Sequence, residues 1–200
     1  MSEHNQPDNE VRAAYIEQRE QAVPPQPRIY IASLSDYNAG RLHGRWINAA
    51  RPADELREDI AAMLARSPEP IAEEWAIHDY TDFCGTSVDE HEDLETVSEL
   101  ARGIAQHGHA FAAWALLVDN EREGLARFEE AFLGTWDKVE DYAEELLDGI
   151  GATAELAQLP EWLHPYVKLD IEGFTRDLVL GGDILAIDDN GRAHIFDGRI

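Results

Sequence analysis

Arg28-Ile29-Tyr30-Ile31-Ala32-Ser33 opens the folded part of this 200-residue chain. Its β-branched and aromatic residues alternate as they do in a half-buried strand. The stretch before it, residues 1–27, is polar and ends in Pro24-Pro25-Gln26-Pro27, which cannot continue a helix. It reads as a poorly ordered tail in which Val11–Gln21 carries only a thin apolar stripe. After the strand, Ser35-Asp36-Tyr37-Asn38-Ala39-Gly40 has turn chemistry. Leu42–Ile47 is a second strand, containing Trp46. Pro52 then opens a helix with Leu56, Ile60, Met63 and Leu64 along one face. Ser67-Pro68-Glu69-Pro70 stops that helix, and Glu74–Tyr80 is a third strand. Residues 28–91 therefore predict a small antiparallel sheet with one helix.

Residues 92–133 read as wholly helical. Ser87-Val88-Asp89-Glu90 has the S-x-x-E pattern of a capping box. Leu94, Val97, Leu100, Ala101 and Ile104 make a first stripe, ended by Gly108. Phe111, Trp114, Leu117 and Val118 make a second. Leu125, Phe128, Phe132 and Leu133 make a third, after the polar turn at 119–124. Residues 134–200 start with a helix over 137–150, buried along Val139, Tyr142, Ala143, Leu146 and Ile150. A short Pro-bounded helical turn over 159–166 follows. Leu178–Leu180, Asp183–Ile187 and Ala193–Phe196 are strand candidates, the last two joined by Asp188-Asp189-Asn190-Gly191. Asn-Gly supplies the positive φ values of a two-residue hairpin. The class is α+β, in three small units.

The unusual feature is charge. Sixteen basic residues stand against 41 acidic ones, a net charge of −25 with a sequence pI near 4.4. Lys138 and Lys168 are the only lysines; every other cation is Arg. Such a chain repels nucleic acid and anionic membranes, because each phosphate contact wants a cation. It suits a basic partner, which it would meet faster through electrostatic steering. High solubility or adaptation to salt would also give this composition. No run of about 18 apolar residues is present, nothing resembles a signal peptide, and the lone Cys84 fits a reducing compartment. The expectation is a soluble, cytoplasmic protein.

The acids fall in patches. Asp54, Glu55, Glu58 and Asp59 form the first, with Glu73 and Glu74 further on. Asp89, Glu90, Glu92, Asp93, Glu95 and Glu99 form the next, and Glu121, Glu123, Glu129 and Glu130 another. The densest is Asp137, Glu140, Asp141, Glu144, Glu145 and Asp148. Like charges spaced i, i+4 there oppose their own helix by roughly 0.2–0.5 kcal/mol per pair. Lys138 is the only cation in that span. At a rise of ~1.5 Å per residue, the charges recur about every 3 Å, against ~3.4 Å per phosphate along one strand of B-DNA.

Other chemistry finds little support. His91-Glu92 begins H-E-x-x-H, but position 95 is Glu. His107 and His109 lack further ligands nearby in sequence, and Cys84 with His91 is a thin basis for a nucleophilic site. No phosphate-binding loop or nucleophile elbow is present. Among so many acids, a pair at glycosidase spacing carries no information. The reading assigns no catalytic residue, no metal and no cofactor. Trp46, Trp75, Trp114, Trp136 and Trp162 are expected to be core or interface anchors.

Several ordered blocks resemble the ArdA antirestriction proteins. They are Ile29–Gly40 with Leu42-His43-Gly44-Arg45-Trp46; Glu74-Trp75-Ala76-Ile77-His78-Asp79-Tyr80; and Val139–Leu146 with Leu159-Pro160, Tyr166, Phe174–Leu178 and Gly182-Asp183. The similarity runs from about residue 28 to 197, leaving the tail outside it, and Lys168 stands where an acid is expected. The resemblance implies a non-catalytic DNA mimic: three small domains in a curved, elongated protomer, dimerising through the C-terminal domain, with carboxylates placed like the phosphates of a bent duplex. The implied target is the DNA-binding core of type I restriction–modification enzymes. Tyr166, Phe174, Arg176 and Asp177 are the implied dimer-side residues. The alternative is an acidic adaptor or chaperone for basic nucleic-acid-associated proteins; a third reading is an enzyme with an unrecognised carboxylate site.

Overall fold

The computed structural model describes residues 24–200, so most of the N-terminal tail lies outside the described residues. Pro27 is buried, and its carbonyl accepts a hydrogen bond from the Ala49 amide at 2.9 Å. Among the described residues, core packing begins at Pro27, just before the first strand. That strand, β1 (Arg28–Ser33), lies between β2 (Gly44–Asn48) and β3 (Trp75–Thr81) in an antiparallel sheet of order β2-β1-β3. Period-2 alternation sends Ile29 and Ile31 into the core, both with no exposed surface. On the other face Tyr30 sits opposite Trp46, ring to ring at 5.6 Å. The second strand begins two residues later than expected, at Gly44, which lies against Tyr30 and the carbonyl of Ile31.

The segment read as a turn is a single helical turn, α1 (Leu34–Asn38). Ser33 caps it by accepting from the Asp36 amide. Helix α2 (Ala53–Leu64) starts after Pro52 and buries Leu56, Ile60 and Met63 against the sheet. Asp36 closes this unit. Its side chain is wholly buried and accepts from the Ser67 hydroxyl and from Arg41, joining α1 to the segment that follows α2.

Helix α3 (Leu94–His107) is capped differently from the expectation. Its N-cap is Asp93, which accepts from the Thr96 amide at 3.2 Å, not Ser87. The Ser87–Glu90 stretch instead lies beside the free edge of β3, where the Glu90 carbonyl accepts from the Ile77 amide at 2.9 Å. Gly108, at φ 60°, turns the chain into α4 (His109–Leu117). Gly103 lies so close to the Phe111 ring that a Cβ there would strike it. Two single turns follow, α5 (Arg122–Leu125) and α6 (Phe128–Ala131).

Phe132 and Leu133 do not extend a helical stripe. They begin β4 (Phe132–Trp136), an edge strand with a bulge between Phe132 and Gly134. A five-residue strand broken by a glycine offers too little alternation to be read from sequence. After α7 (Val139–Gly149), α8 (Ala152–Ala157) and a 3₁₀ turn (Glu161–Tyr166) comes α9 (Ile171–Leu180). Leu178–Leu180, expected as a strand, is the last turn of α9. A short apolar run does not distinguish the two states; here Asp170 caps a helix by accepting from the Gly173 amide. The hairpin β5 (Ile184–Asp189) and β6 (Arg192–Asp197) forms as expected, with Asn190 and Gly191 at φ 53° and 81°.

The second sheet has the order β4-β6-β5 and is covered on both faces. Ala193 and Ile195 of β6 face Val139 and Tyr142 of α7 and Leu178 of α9. Phe196 faces the other way, 5.2 Å from the Trp114 ring and 5.7 Å from that of Phe132. Phe128 lies between Phe111 and Phe132, at 4.9 Å from each. One apolar cluster therefore runs from Ile29 through α3 and α4 to Phe196. Trp114 and its neighbours are core as expected, whereas Trp162 is 71% exposed.

Burial pushes the Asp36 carboxyl up, but hydrogen bonds from Ser67, Ser33 and Arg41 and the charge of His43 outweigh it and hold it below the ordinary 3.8. A lowered carboxylate pKa adds stability above the unfolded value and loses it as pH falls through the folded one. Asp36→Asn is expected to lower the urea midpoint at pH 7. The gap to wild type should shrink on titration below about pH 4.

Candidate functional site

The acidic side chains divide into two populations. In the first, cations both near and far in sequence hold them. Arg57 binds Asp54 one turn earlier at 2.9 Å and Glu95 on α3, joining two patches that lie far apart in sequence. The hydrogen bond from Arg57 is the main reason that the Glu95 carboxyl falls to about 2. Arg122 binds Glu99 at 3.1 Å, tying in the patch that holds Glu121 and Glu123. Arg51 binds Glu55 and Asp59, Arg45 also reaches Asp59, and His107 meets Glu129 at 2.9 Å. Glu95 and Glu99 are themselves an i, i+4 like-charge pair on α3. A guanidinium on each relieves the repulsion.

The second population has no such relief. On α7, Glu144, Glu145 and Asp148 are exposed and Glu140 and Asp141 partly so. Among the described residues, no salt bridge reaches any of the five. Asp141 accepts from the Lys138 amide and so caps its own helix, and Asp148 accepts from the Thr153 hydroxyl. Asp137 precedes the helix, which begins at Val139. Three like-charge pairs thus lie within α7, Glu140–Glu144, Asp141–Glu145 and Glu144–Asp148, rather than the four that a helix from 137 predicts. The helix tolerates them because Val139, Tyr142 and Ala143 pack on the second sheet and on α9.

Glu58, Glu73, Glu74, Asp89, Glu90, Glu121, Glu123 and Glu130 are also exposed, without a salt bridge among the described residues. Glu92 is half-buried, its carboxylate turned back to the Asp93 amide. None of the acids singled out from the sequence is buried. Asp36, the one acid among the described residues with no exposed surface, was not among them. Its partners lie five and 31 residues away, beyond any local pattern. Of the residues expected at a dimer interface, Tyr166 is 81% exposed and Phe174 is half-buried. Arg176 and Asp177 are exposed and face each other at 3.9 Å.

The histidines have local structural roles. His194 is buried, hydrogen-bonded to the Thr135 hydroxyl at 2.8 Å, and burial lowers its pKa. His109 meets Asp189 at 3.1 Å. Burial raises the Cys84 thiol pKa, the reverse of what a nucleophile needs. Among the described residues no group of three His, Cys, Asp or Glu side chains could hold a metal ion, and no helix is long and apolar enough to cross a membrane.

The molecule is thus a small α+β protein whose distinctive surface chemistry is a set of uncompensated carboxylates. A family model described as antirestriction protein (ArdA) matches residues 29–191, and the chain belongs to that family. No curated protein matches it in sequence.

Glu144 takes part in two of the three like-charge pairs on α7. Glu144→Gln is expected to stabilise the fold by about 0.4–1 kcal/mol, read as a raised midpoint in chemical denaturation. The same change at Glu99, whose charge Arg122 compensates, should give no gain.

Proposed function

We propose that this antirestriction protein acts as a mimic of duplex DNA, occupying the DNA-binding groove of a type I restriction–modification enzyme and blocking both restriction and modification. The observation that supports it best is the uncompensated acidic face of α7. Arginines bridge Asp54, Glu55 and Asp59 on α2 and Glu95 and Glu99 on α3, yet among the described residues no salt bridge reaches the five carboxylates of α7. A surface selected only for solubility gains nothing from repeated repulsion. A surface that meets a row of Lys and Arg recovers the cost on binding. From Glu140 to Asp148 the acids recur at about 3 Å of axial rise, close to the ~3.4 Å spacing of phosphates on one strand. The proposed phosphate equivalents are the exposed acids of this helix, together with those of the other patches.

The expected assembly is a homodimer through the C-terminal unit. Ile150, Trp162, Tyr166 and Leu180 expose 71, 71, 81 and 78% of their surface. Large apolar groups so exposed favour a covering partner. Sedimentation of the wild type should give a dimer, and Trp162→Asp with Tyr166→Asp should shift it to monomer without loss of helical content.

The functional test is competition with duplex DNA for a purified type I methyltransferase core. Inhibition should weaken steeply as salt rises. Neutralising Glu140, Glu144 and Glu145 should weaken it in graded steps of about 2- to 5-fold each. Complete loss on neutralising one acid would indicate a catalytic carboxylate instead. Undiminished DNA binding at stoichiometric excess of the protein would overturn the proposal.

A further inference from the structure

We propose that a cleft beside the edge strand of the N-terminal sheet is a guanidinium site, built to take one arginine side chain of a basic partner. The cleft measures about 630 Å³ and is open to solvent; it is lined by Leu34, Tyr37 and Asn38 of α1 and by Glu74, Ile77, His78 and Glu90. Tyr37 is 58% exposed, and its ring is held in near-perpendicular contact with His78, the ring centres 5.0 Å apart. An exposed aromatic face at a cleft wall attracts a cation, and a planar guanidinium stacks on it best.

Charge in the cleft points the same way. Glu74 and Glu90 are both exposed, and neither has a salt bridge among the described residues. Nearby Glu69, by contrast, is bound by Arg41. Two carboxylates repel an anion, and a neutral occupant would leave both without a partner. The main chains of the two acids are held in place. The Leu34 amide donates to the Glu74 carbonyl at 3.0 Å, and the Ile77 amide donates to the Glu90 carbonyl at 2.9 Å. These bonds fix the Glu74 backbone to α1 and the Glu90 backbone to β3 before any ligand arrives, so only the side chains must be ordered on binding. Leu34 supplies an apolar surface for the methylene stem of an arginine. A lysine could use the carboxylates and the stem contact, but not the stacking plane.

This site deepens the proposed function: only the statement that the arginine belongs to a DNA-binding protein rests on that reading. The test uses the full chain, labelled with nitrogen-15, titrated with N-acetyl-arginine amide and separately with the lysine and citrulline counterparts. The arginine probe should give saturable shifts centred on Leu34, Tyr37, Glu74, His78 and Glu90, with affinity at least about 5-fold above that for citrulline. Glu74→Gln with Glu90→Gln, and separately Tyr37→Leu, should each weaken binding by a similar factor while the remaining spectrum stays native. Glu155→Gln, at an exposed acid away from the cleft, should leave it unchanged. Equal binding of lysine or citrulline, shifts spread evenly over the acidic surface, or full affinity in the cleft variants would overturn the assignment. No restriction enzyme is present, so a negative result leaves the competition with DNA untouched. Failure of that competition with arginine binding intact would count against the DNA mimic alone.

Discussion

The structure depends on the ring cluster of Phe111, Trp114, Phe128, Phe132 and Phe196. Its members come from α4, α6, β4 and β6, so elements from the middle and the end of the chain meet at one place. Offset and tilted ring pairs at 4.9–5.7 Å contribute beyond their buried area. Phe196 has no exposed surface because β6, the central strand, is covered from both sides. The same strand turns Ile195 towards α7. The cluster thereby links the hydrophobic anchoring of the most acidic helix to the core of the whole molecule.

That anchoring explains how so much repulsion is tolerated. A helix as acidic as α7 would be marginal alone, since repelling neighbours and a short length both oppose it. Packing on the second sheet and on α9 overrides the local penalty. On α3 a different solution operates, with Arg57 and Arg122 bridging in from neighbouring segments. One helix is neutralised from outside and the other is held in place despite its charge. The chain's near-exclusive use of Arg suits the first solution, because a planar five-donor group can serve two carboxylates at once. Arg57 does so for Asp54 and Glu95.

Much of this was legible in the sequence, for reasons that can be named. The alternation of Ile29 and Ile31, the stripe of Leu56, Ile60 and Met63, and the Asn190-Gly191 turn are local patterns with local causes. The unrelieved charge of 140–148 was legible too, because the missing cations would have had to be neighbours on the helix. What escaped depends on contacts across the chain. The strand at Phe132–Trp136 exists because β6 offers it a partner, not because its own residues alternate. Arg57 reaches Glu95 across 38 positions. Asp36 looked like a turn residue, and only Ser67 and Arg41 make it a buried carboxylate. The cleft at Tyr37 gathers residues from positions 34–38, 74–78 and 90, which no linear motif joins.

The bulge between Phe132 and Gly134 has a consequence for how the second sheet could grow. An edge strand is a template for a further strand, and flat edges invite end-to-end polymerisation. Here β4 is kinked at the bulge, and Gly134 sits at φ 126°. The opposite edge, β5, ends in Asp188 and Asp189. One margin is bent and the other is charged, so the ladder stops at three strands. Both features discourage a further strand from adding to this small sheet, whose surroundings carry exposed apolar groups.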